Sequence, residues 1–154
     1  GLDLIPFGMR AMMSLRLDRL YGAWGREYSP DYTAAETGLD RFISFGKPAD
    51  FIGRAAAEAE RAASPARRLA AFRVAAADSD VVAYEPVWHR GEVVGFCTSG
   101  GYAHWSDMSV ALALVPASLI EEGLSVEIEI LGEKRPAEVL TTTPFDPEGD
   151  RLRG

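Results

Sequence analysis

Two apolar segments flank a stretch of small, polar and aromatic residues in the second half of the chain. Residues 93–98 and 108–115 predict two strands, and residues 98–105, with the sequence TSGGYAHW, predict the turn that joins them. Loops held by rigid strands often carry binding and catalytic groups. Two interpretations stay open at this point: a loop that forms a site, or a glycine-rich hairpin whose aromatic side chains cover the edge of a core.

Short alternating segments continue on both sides of this stretch. In residues 124–131, Val126, Ile128 and Ile130 face one side of a predicted strand, and the glutamates between them face the other. Further strands are predicted at residues 68–75, at 81–84 with 86–89, and at 137–142. Turns are predicted at residues 89–92 and 132–134, and a helical turn at 117–122. Five or six short strands at this spacing predict a small antiparallel barrel or sandwich.

The first 65 residues have a helical pattern instead. Residues 8–22 predict an amphipathic helix that Gly22 and Gly25 end. Its recurring positions, three and four residues apart, are Met9, Met12, Met13, Arg16, Leu17 and Leu20. A methionine-rich face of this kind is typical of adaptable core packing. Residues 39–45 predict a short strand, and the alanine-rich residues 51–63, with Asp50 as N-cap, predict a second helix.

Composition narrows the classes of function. Hydrophobic residues make up 47% of the 154 residues and charged residues 25%, as in ordinary globular proteins. The net charge of -7 argues against a nucleic-acid partner, which would need a basic surface to displace counterions from phosphates. The single cysteine, Cys97, excludes an internal disulfide and is expected to be a small buried hydrophobe in its strand. With only two histidines, no metal site is predicted.

The hydropathy and the first residues of the chain bear on its cellular compartment and on whether it is part of a longer protein. No apolar run approaches the ~20 residues of a membrane span, and the first residues lack the regions of a secretory signal. We therefore expect a cytoplasmic protein with no membrane partner. The chain does not begin with methionine, and a lone strand at residues 39–45 would need a partner. We therefore expect a piece of a longer protein, with an internal boundary near residues 64–67.

The candidate chemistry is aromatic rather than nucleophilic. The chain has no G-x-S-x-G motif, and residues 98–102 lack the strand-to-helix setting of a phosphate loop. His104 could act as a base oriented by Asp107, although Ser106 and Asp107 favour a turn. Flat heteroaromatic ligands bind between aromatic faces; the alternative is aromatic packing between the two parts of the chain. The aromatic clusters are Tyr21, Trp24, Tyr28 and Tyr32 after the first helix, and Tyr102 and Trp105 in the predicted turn.

Four stretches resemble, in the same order, motifs of the folate-binding aminomethyltransferase (glycine cleavage T-protein) family. Residues 8–39 resemble the family's helix with R-L-E, its aromatic-glycine exit and its T-P-x-E-x-G-L-like stretch. Residues 50–57, DFIGRAAA, resemble F-I-G-R-x-A-L, and residues 92–116 resemble V-G-x-x-T-S-G followed by S-x-A-x-A-x-V-P. Residues 144–154 are similar to the endings of the branch fused to flavin oxidases, the dimethylglycine and sarcosine dehydrogenases and their relatives.

The resemblance implies a fold of class α+β, in which a helix-strand-helix segment precedes a six-stranded antiparallel β-barrel. Full-length members have three subdomains around a central tetrahydrofolate site, where folate accepts a one-carbon unit from an amine or iminium substrate. Residues 1–65 would end the middle folate-binding subdomain, and residues 66–154 would form the C-terminal barrel. The family's key aspartate and its pterin-holding glutamate belong to the N-terminal portion, so no catalytic residue is expected in this chain.

The resemblance also implies which residues line the folate site. Arg16 and Asp18 match the R-L-E helix, with aspartate in place of glutamate. Met12 departs from the family, because T-proteins have a folate-contacting arginine there, and Arg10 points about 200° away around the helix. Tyr21 matches an aromatic residue beside the folate. The complete predicted set of folate-binding residues is Arg16, Tyr21, Trp24, Tyr102, His104 and Trp105.

The function predicted from this resemblance is one-carbon transfer. The chain would be the C-terminal part of a tetrahydrofolate-dependent aminomethyltransferase or demethylase, which transfers a one-carbon unit from a methylated amine or aminomethyl donor to tetrahydrofolate. The parent would be fused to a flavin amine dehydrogenase, with FAD outside this chain. Its partners would be folate, the small amine and the upstream subdomains of the same polypeptide. The alternative is a non-catalytic folate-binding or packing module without transferase activity.

Overall fold

A closed six-stranded antiparallel β-barrel forms the body of the structure. The structure, a computed structural model, describes residues 4–154. The strands are β1 (Arg67–Val74), β2 (Pro86–His89), β3 (Glu92–Ala103), β4 (Met108–Pro116), β5 (Ser125–Ile130) and β6 (Glu133–Leu140). They close in the order β1-β4-β3-β2-β5-β6, and each neighbouring pair is antiparallel. The predicted barrel is confirmed.

Three α-helices accompany the barrel among the described residues. They are α1 (Met9–Asp18), α2 (Arg54–Ala63) and the short α3 (Asp150–Arg153). No helix in the part of the chain that the structure describes is long and apolar enough to cross a membrane.

The outer face of the barrel is covered on one side by α1. Strand β5 buries every second residue, as predicted, but β4 buries seven consecutive residues. The reason is that Leu17 of α1 packs outside the barrel against Ala71, Val110 and Leu112. A strand that is covered on both faces reads as a continuous apolar run. Strand β4 therefore marks the place where the N-terminal segment docks.

The barrel interior holds the single cysteine. Cys97 is fully buried in β3, among the inward-facing residues of the other strands. Burial, together with the carboxylate of Glu85, raises the pKa of the thiol to about 12. The thiol is therefore protonated and inert at neutral pH, in agreement with its expected role as a buried hydrophobe.

Two hairpins close with two-residue turns whose backbone is left-handed at both positions. In the β2–β3 turn, Arg90 and Gly91 have φ of 52° and 84°. In the β5–β6 turn, Leu131 and Gly132 have φ of 51° and 85°. This geometry matches the right-handed twist of the flanking strands. The turn predicted at residues 132–134 therefore begins one residue too late, and Glu133 already belongs to β6.

The strand predicted at residues 39–45 is wrong. Asp40–Phe42 form a short 3-10 helix, and the amides of Leu39 and Asp40 donate to the carbonyl of Ala34. A closed barrel has no free edge on which another strand could pair. The backbone of this segment therefore meets its hydrogen-bonding needs locally, and the argument for a fragment that rested on a lone strand has no basis.

The helix boundaries also differ from prediction. Helix α1 ends at Asp18, before the glycines, because Leu20 adopts a left-handed φ of 53°. Helix α2 begins at Arg54 after Gly53, and Asp50 caps only the amide of Phe51. On α1, Met9 and Met12 are exposed, so the predicted core-packing face is only partly used.

The predicted turn at residues 98–105 is mostly strand. Strand β3 continues to Ala103, and the turn itself spans residues 104–107. Residues 81–84 form a turn region instead of a strand, and only Pro86–His89 pair in the sheet. The extension of β3 is decisive for the site, because it places Thr98, Ser99 and Gly100 on the barrel wall beneath α1.

Gly95 lies where β3 touches β4 too closely for any side chain. A Cβ at this position would stand 2.1 Å from the backbone oxygen of Leu114. We predict that Gly95→Ala lowers the free energy of unfolding by about 1–3 kcal/mol or more, since overpacking against backbone cannot relax by a rotamer change. Urea titration followed by circular dichroism measures the change.

Gly46→Ala is the matched control, because nothing lies within 4 Å of a Cβ built there. A Gly95→Ala protein as stable as the Gly46→Ala protein would contradict the strand register described for β3 and β4.

Candidate functional site

A buried ion pair joins α1, the loop that follows it and the barrel. Arg16 of α1 donates from Nη1 to Oε2 of Glu27 at 2.9 Å and from Nη2 to Oγ of Ser99 at 2.6 Å. The Glu27 side chain is fully buried, and that of Arg16 is 9% exposed. The guanidinium therefore spans the junction between the N-terminal segment and β3.

Four donors surround the carboxylate of Glu27. Oε2 accepts from Arg16 and, at 2.8 Å, from the backbone amide of Ala23. Oε1 accepts from the hydroxyls of Ser99 and, at 2.7 Å, of Thr98. A buried carboxylate is tolerated only when its charge and its lone pairs are satisfied in this way.

A β-bulge makes this arrangement possible. Successive residues of a regular strand point to opposite faces, yet the hydroxyls of Thr98 and Ser99 both reach the same carboxylate oxygen. The register of β3 against β4 shifts between Cys97 and Ser99, which leaves Thr98 as the extra residue. Such a bulge redirects a side chain out of the strand alternation.

Gly100 completes the T-S-G sequence for a steric reason. A Cβ on Gly100 would come within 2.5 Å of the Cβ of Val81. The absence of a side chain lets the segment around Val81 close over β3. All three residues of this motif therefore have a structural role. Thr98 and Ser99 donate hydrogen bonds to Glu27, and Gly100 leaves room for the side chain of Val81.

The electrostatic environment favours the ionised form of Glu27. Burial alone would raise its pKa, but the hydrogen bonds from Ser99, Thr98 and Ala23 and the charge of Arg16 outweigh that effect, so the pKa lies below its ordinary value of 4.5. Burial also lowers the pKa of Arg16, opposed by its contact with Glu27. The pair is thus charged at neutral pH.

A second contact fixes the hairpin turn after β3 to the end of α1. Asp18 is 3% exposed. Its Oδ1 accepts from the amide of Ser106 at 2.9 Å and from the Ser106 hydroxyl at 2.6 Å. Asp18 therefore fixes the position of the turn relative to the end of α1.

The C-terminal tail is held by the same end of α1. Arg19 forms an ion pair with Asp146 at 3.2 Å and donates to the carbonyl of Phe145 at 3.1 Å. The Phe145 ring packs edge-on against Trp105, with 5.1 Å between ring centroids. Tyr21 joins this group through its hydroxyl, 3.3 Å from Nη2 of Arg19.

The six predicted folate-binding residues fall into separate groups. Tyr21 and Trp105 border the Arg19–Phe145 contact and stay 43% and 64% exposed, and Trp24 nearby in sequence is 80% exposed. Arg16 is committed to Glu27 and Ser99. The structure therefore brings Tyr21 and Trp105 to one junction and places Arg16 beneath it as support.

Tyr102 and His104 lie elsewhere, in a groove between the first half of α1 and the barrel. Their rings meet edge-on at 5.1 Å. Asp107 accepts the hydroxyl of Tyr102, which raises the pKa of that phenol. The hypothesis that Asp107 orients His104 is therefore wrong.

The aromatic side chains of Tyr28 and Tyr32 do not stack on each other. Tyr28 packs on Gly22, and Tyr32 lies beneath Arg67.

Sequence reasoning missed Glu27. It lies in a polar loop with no periodicity, and nothing in its neighbours indicates burial. The only available signal was indirect. Arg16 lies on the buried side of α1 and needs an acidic partner, and the hydroxyls of Thr98 and Ser99 need a hydrogen-bond acceptor. Among the described residues, no group of three His, Cys, Asp or Glu side chains is placed to hold a metal ion.

The fold and the buried Arg16–Glu27 pair define a class of protein. It is a closed antiparallel barrel domain to which a buried ion pair fixes the preceding helix. The chain matches the model of the glycine cleavage T-protein C-terminal barrel domain at residues 67–146, and that of the GCVT N-terminal domain at residues 1–47. The chain belongs to the glycine cleavage T-protein family.

Its relatives include two kinds of enzyme. The mitochondrial dimethylglycine dehydrogenase of Rattus norvegicus is 42% identical over 153 residues, which is 99% of this chain and 18% of that protein. The aminomethyltransferase of Synechococcus sp. (strain CC9902) is 35% identical over 138 residues, 88% of this chain and 37% of that protein. The chain thus spans only a minor part of the length of these relatives.

A solved structure agrees with the fold. The glycine cleavage system aminomethyltransferase T from Bartonella henselae superposes with a TM-score of 0.83 at 25% identity, covering 91% of this chain and 39% of that one. The family predicted from the sequence motifs is confirmed.

Removal of the Glu27 charge should weaken the contact between α1 and the barrel. We predict that Glu27→Gln destabilises the protein by on the order of 3 kcal/mol, because it leaves the Arg16 guanidinium buried without a counter-charge. Chemical denaturation at pH 7 measures this. The matched control is Glu138→Gln, which removes an exposed partner of Arg73 and should cost less than about 1 kcal/mol. Equal effects would contradict the assigned role.

The same carboxylate should govern stability in acid. Because the folded-state pKa of Glu27 lies below 4.5, its contribution is complete above that pH and is lost as the pH falls through the lowered value. We predict that unfolding free energy, measured by urea titration from pH 7 to pH 3, falls less steeply in Glu27→Gln than in the unmodified protein. Parallel pH profiles would show that other groups cause the acid sensitivity.

Proposed function

We propose that this chain is the C-terminal part of a tetrahydrofolate-dependent aminomethyltransferase fused to a flavin amine dehydrogenase. The transfer would move a one-carbon unit from a methylated amine or aminomethyl donor to tetrahydrofolate. The observation that carries the proposal is the match of nearly the whole chain to dimethylglycine dehydrogenase together with the match to aminomethyltransferases. FAD would belong to a part of the polypeptide outside this chain.

The proposed contribution of this chain is a wall of the folate site. Tyr21, Trp24 and Trp105 are large aromatic side chains that remain exposed around the end of α1. Exposed aromatic faces with polar neighbours suit a flat pterin ring. Arg16 would position this wall through Glu27, and the proposed ligand contacts fall to the aromatic residues.

A second surface supports packing against the upstream subdomains. Apolar side chains before and along α1 are exposed, and they are Leu4, Ile5, Phe7, Met9, Met12 and Leu15. A concentration of exposed apolar side chains in one segment, here called the apolar strip, is typical of an interaction site. In the proposal, residues 1–65 end the middle subdomain, residues 66–154 form the C-terminal domain, and this strip meets the preceding part of the same polypeptide.

The buried carboxylates favour a supporting role for the chain within that enzyme. Asp18 and Glu27 are both engaged in structural hydrogen bonds, so the proposal assigns catalysis to residues outside this chain. A folate-binding or packing module without transferase activity is the competing function. The compartment is proposed as the cytoplasm, although the dimethylglycine dehydrogenase relatives are mitochondrial by name.

Titration of tetrahydrofolate into the full-length polypeptide that carries this chain tests the proposal. We predict saturable binding that weakens roughly tenfold in Tyr21→Ala or Trp24→Ala, since stacking on a ring contributes about 1–3 kcal/mol. Isothermal calorimetry measures it. Phe42→Ala is the control, because that ring is also exposed but belongs to the 3-10 helix.

The outcomes separate the alternatives. No binding in the full-length protein would overturn the proposal. Binding that both variants leave unchanged would overturn the assignment of the wall. Folate binding without formation of methylenetetrahydrofolate from any methylated amine would favour the non-catalytic module.

A further inference from the structure

Three large apolar side chains are exposed at the end of the barrel where β2 begins and β5 ends. Val82 is 54% exposed, Tyr84 81% and Leu131 83%. Val82 and Tyr84 belong to the segment that joins β1 to β2, and Leu131 belongs to the β5–β6 turn. These three side chains are here called the end patch.

A single carboxylate holds the two parts of the end patch together. Glu85 accepts from the amide of Val82 through Oε2 at 2.8 Å and from the amide of Leu131 through Oε1 at 3.2 Å. The antiparallel register of β2 and β5, continued past the last paired residues, brings Tyr84 opposite Leu131. The amide of Tyr84 also donates to the carbonyl of Cys97 at 2.7 Å. The end patch therefore has a fixed backbone.

The backbone at two positions of the end patch has a conformation that favours glycine or asparagine. Tyr84 has a φ of 73° and Leu131 a φ of 51°, and a bulky side chain is rare in this left-handed region. The β2–β3 turn has the same geometry, but the equivalent residue there is Arg90, with a φ of 52° and an exposed charged side chain. Turn geometry alone therefore does not account for the apolar side chains of the end patch.

The ring of Tyr84 has a defined position. It stacks on Phe96, with 6.3 Å between ring centroids and 22° between ring planes. Strained residues persist where function holds them, and exposed apolar side chains in one place are typical of a surface that meets another. The combination of strain, order and exposure at Tyr84 therefore indicates a docking surface.

The charges around the end patch are mainly acidic. Asp80 lies in the segment that carries the patch, and Glu129 and Glu133 flank the β5–β6 turn. Of the two basic residues that follow the turn, Lys134 lies over a tryptophan ring and Arg135 is paired with two carboxylates. A complementary surface has an apolar centre edged by lysine or arginine. A second copy of this chain would bring a second acidic rim, so it is the less suitable partner.

We propose that the end patch docks on an apolar surface, edged by cations, of the part of the polypeptide that precedes this chain. This docking rests on the proposed function in one respect, which is that the chain is the C-terminal part of a longer enzyme. The chain matches only 18% of the length of one dimethylglycine dehydrogenase and 37% of one aminomethyltransferase, so most of each relative lies outside the matched region.

The end patch adds a contact to the one proposed for the apolar strip. The strip lies before and along α1, whereas the end patch belongs to the barrel itself. Two separate contacts would fix the orientation of the barrel relative to the preceding part, which a single contact leaves free to rotate. Tyr84 and Leu131 are thus assigned to interdomain orientation.

Photochemical crosslinking in the full-length polypeptide that carries this chain tests the docking. Tyr84 is replaced by p-benzoylphenylalanine, and the irradiated protein is digested and analysed by mass spectrometry. We predict a link to a peptide that precedes this chain, within a protein that still migrates as a monomer. The control places the same group at Arg90, which is exposed in the turn at the other end of β2, and it should give at most about a tenth of that yield.

A pair of asparagine variants tests the contribution of the β5–β6 turn. Asparagine suits the left-handed position, so Leu131→Asn and Arg90→Asn should both keep their turns and the circular dichroism of the unmodified protein. We predict that Leu131→Asn lowers the yield of the link from position 84 about threefold to tenfold, because it removes one apolar side chain from the contact. Arg90→Asn should leave the yield unchanged, and added salt should lower it.

The other outcomes overturn the docking in distinguishable ways. Links between two copies would make the end patch a dimer contact. A yield no higher than that from position 90 would show that the patch faces solvent. Titration of tetrahydrofolate into the same protein separates this result from the proposed function: folate binding without the link removes the docking alone, and the link without folate binding removes the proposed function alone.

Discussion

A carboxylate removed from water must find its counter-charge and its donors inside the protein, and Glu27 meets this requirement only by drawing three parts of the chain together. Arg16 comes from α1, Ala23 from the loop, and Thr98 and Ser99 from the barrel wall. None of these parts could shift without leaving a buried charge unsatisfied. The helix and the barrel therefore behave as one unit, although they match two separate family models.

The exposed surfaces of the molecule depend on that unit. Once Arg16 and Glu27 set the position of α1, Asp18 holds the turn after β3 and Arg19 holds the tail at Phe145. Tyr21 and Trp105 then border the same Arg19–Phe145 contact, and Arg10 lines the groove over Gly100 and Gly101. The exposed aromatic side chains therefore remain accessible to a ligand. The charged side chains of Arg16, Asp18 and Glu27 instead hold α1 against the barrel.

Sequence patterns predicted the barrel well, because alternation such as that of Val126, Ile128 and Ile130 is a local property. The patterns failed where long-range contacts decide. Residues 39–45 alternate like a strand but find no open edge, and residues 98–105 look like a loop because glycine and hydroxyl residues mark turns. Here the same residues serve a bulge and a close contact. Glu27 could not be predicted, since its side-chain partners lie 11 and more than 70 residues away.

We propose that the exit of α1 and the β3–β4 hairpin form one preorganised wall for folate. Amide hydrogen exchange of the full-length polypeptide, with and without tetrahydrofolate, tests it most directly. The account predicts slower exchange with folate at residues 19–28 and 98–107, and unchanged exchange in β5 and β6 on the other side of the barrel. Protection that spares both of the first two segments, or that spreads evenly over the barrel, would contradict it.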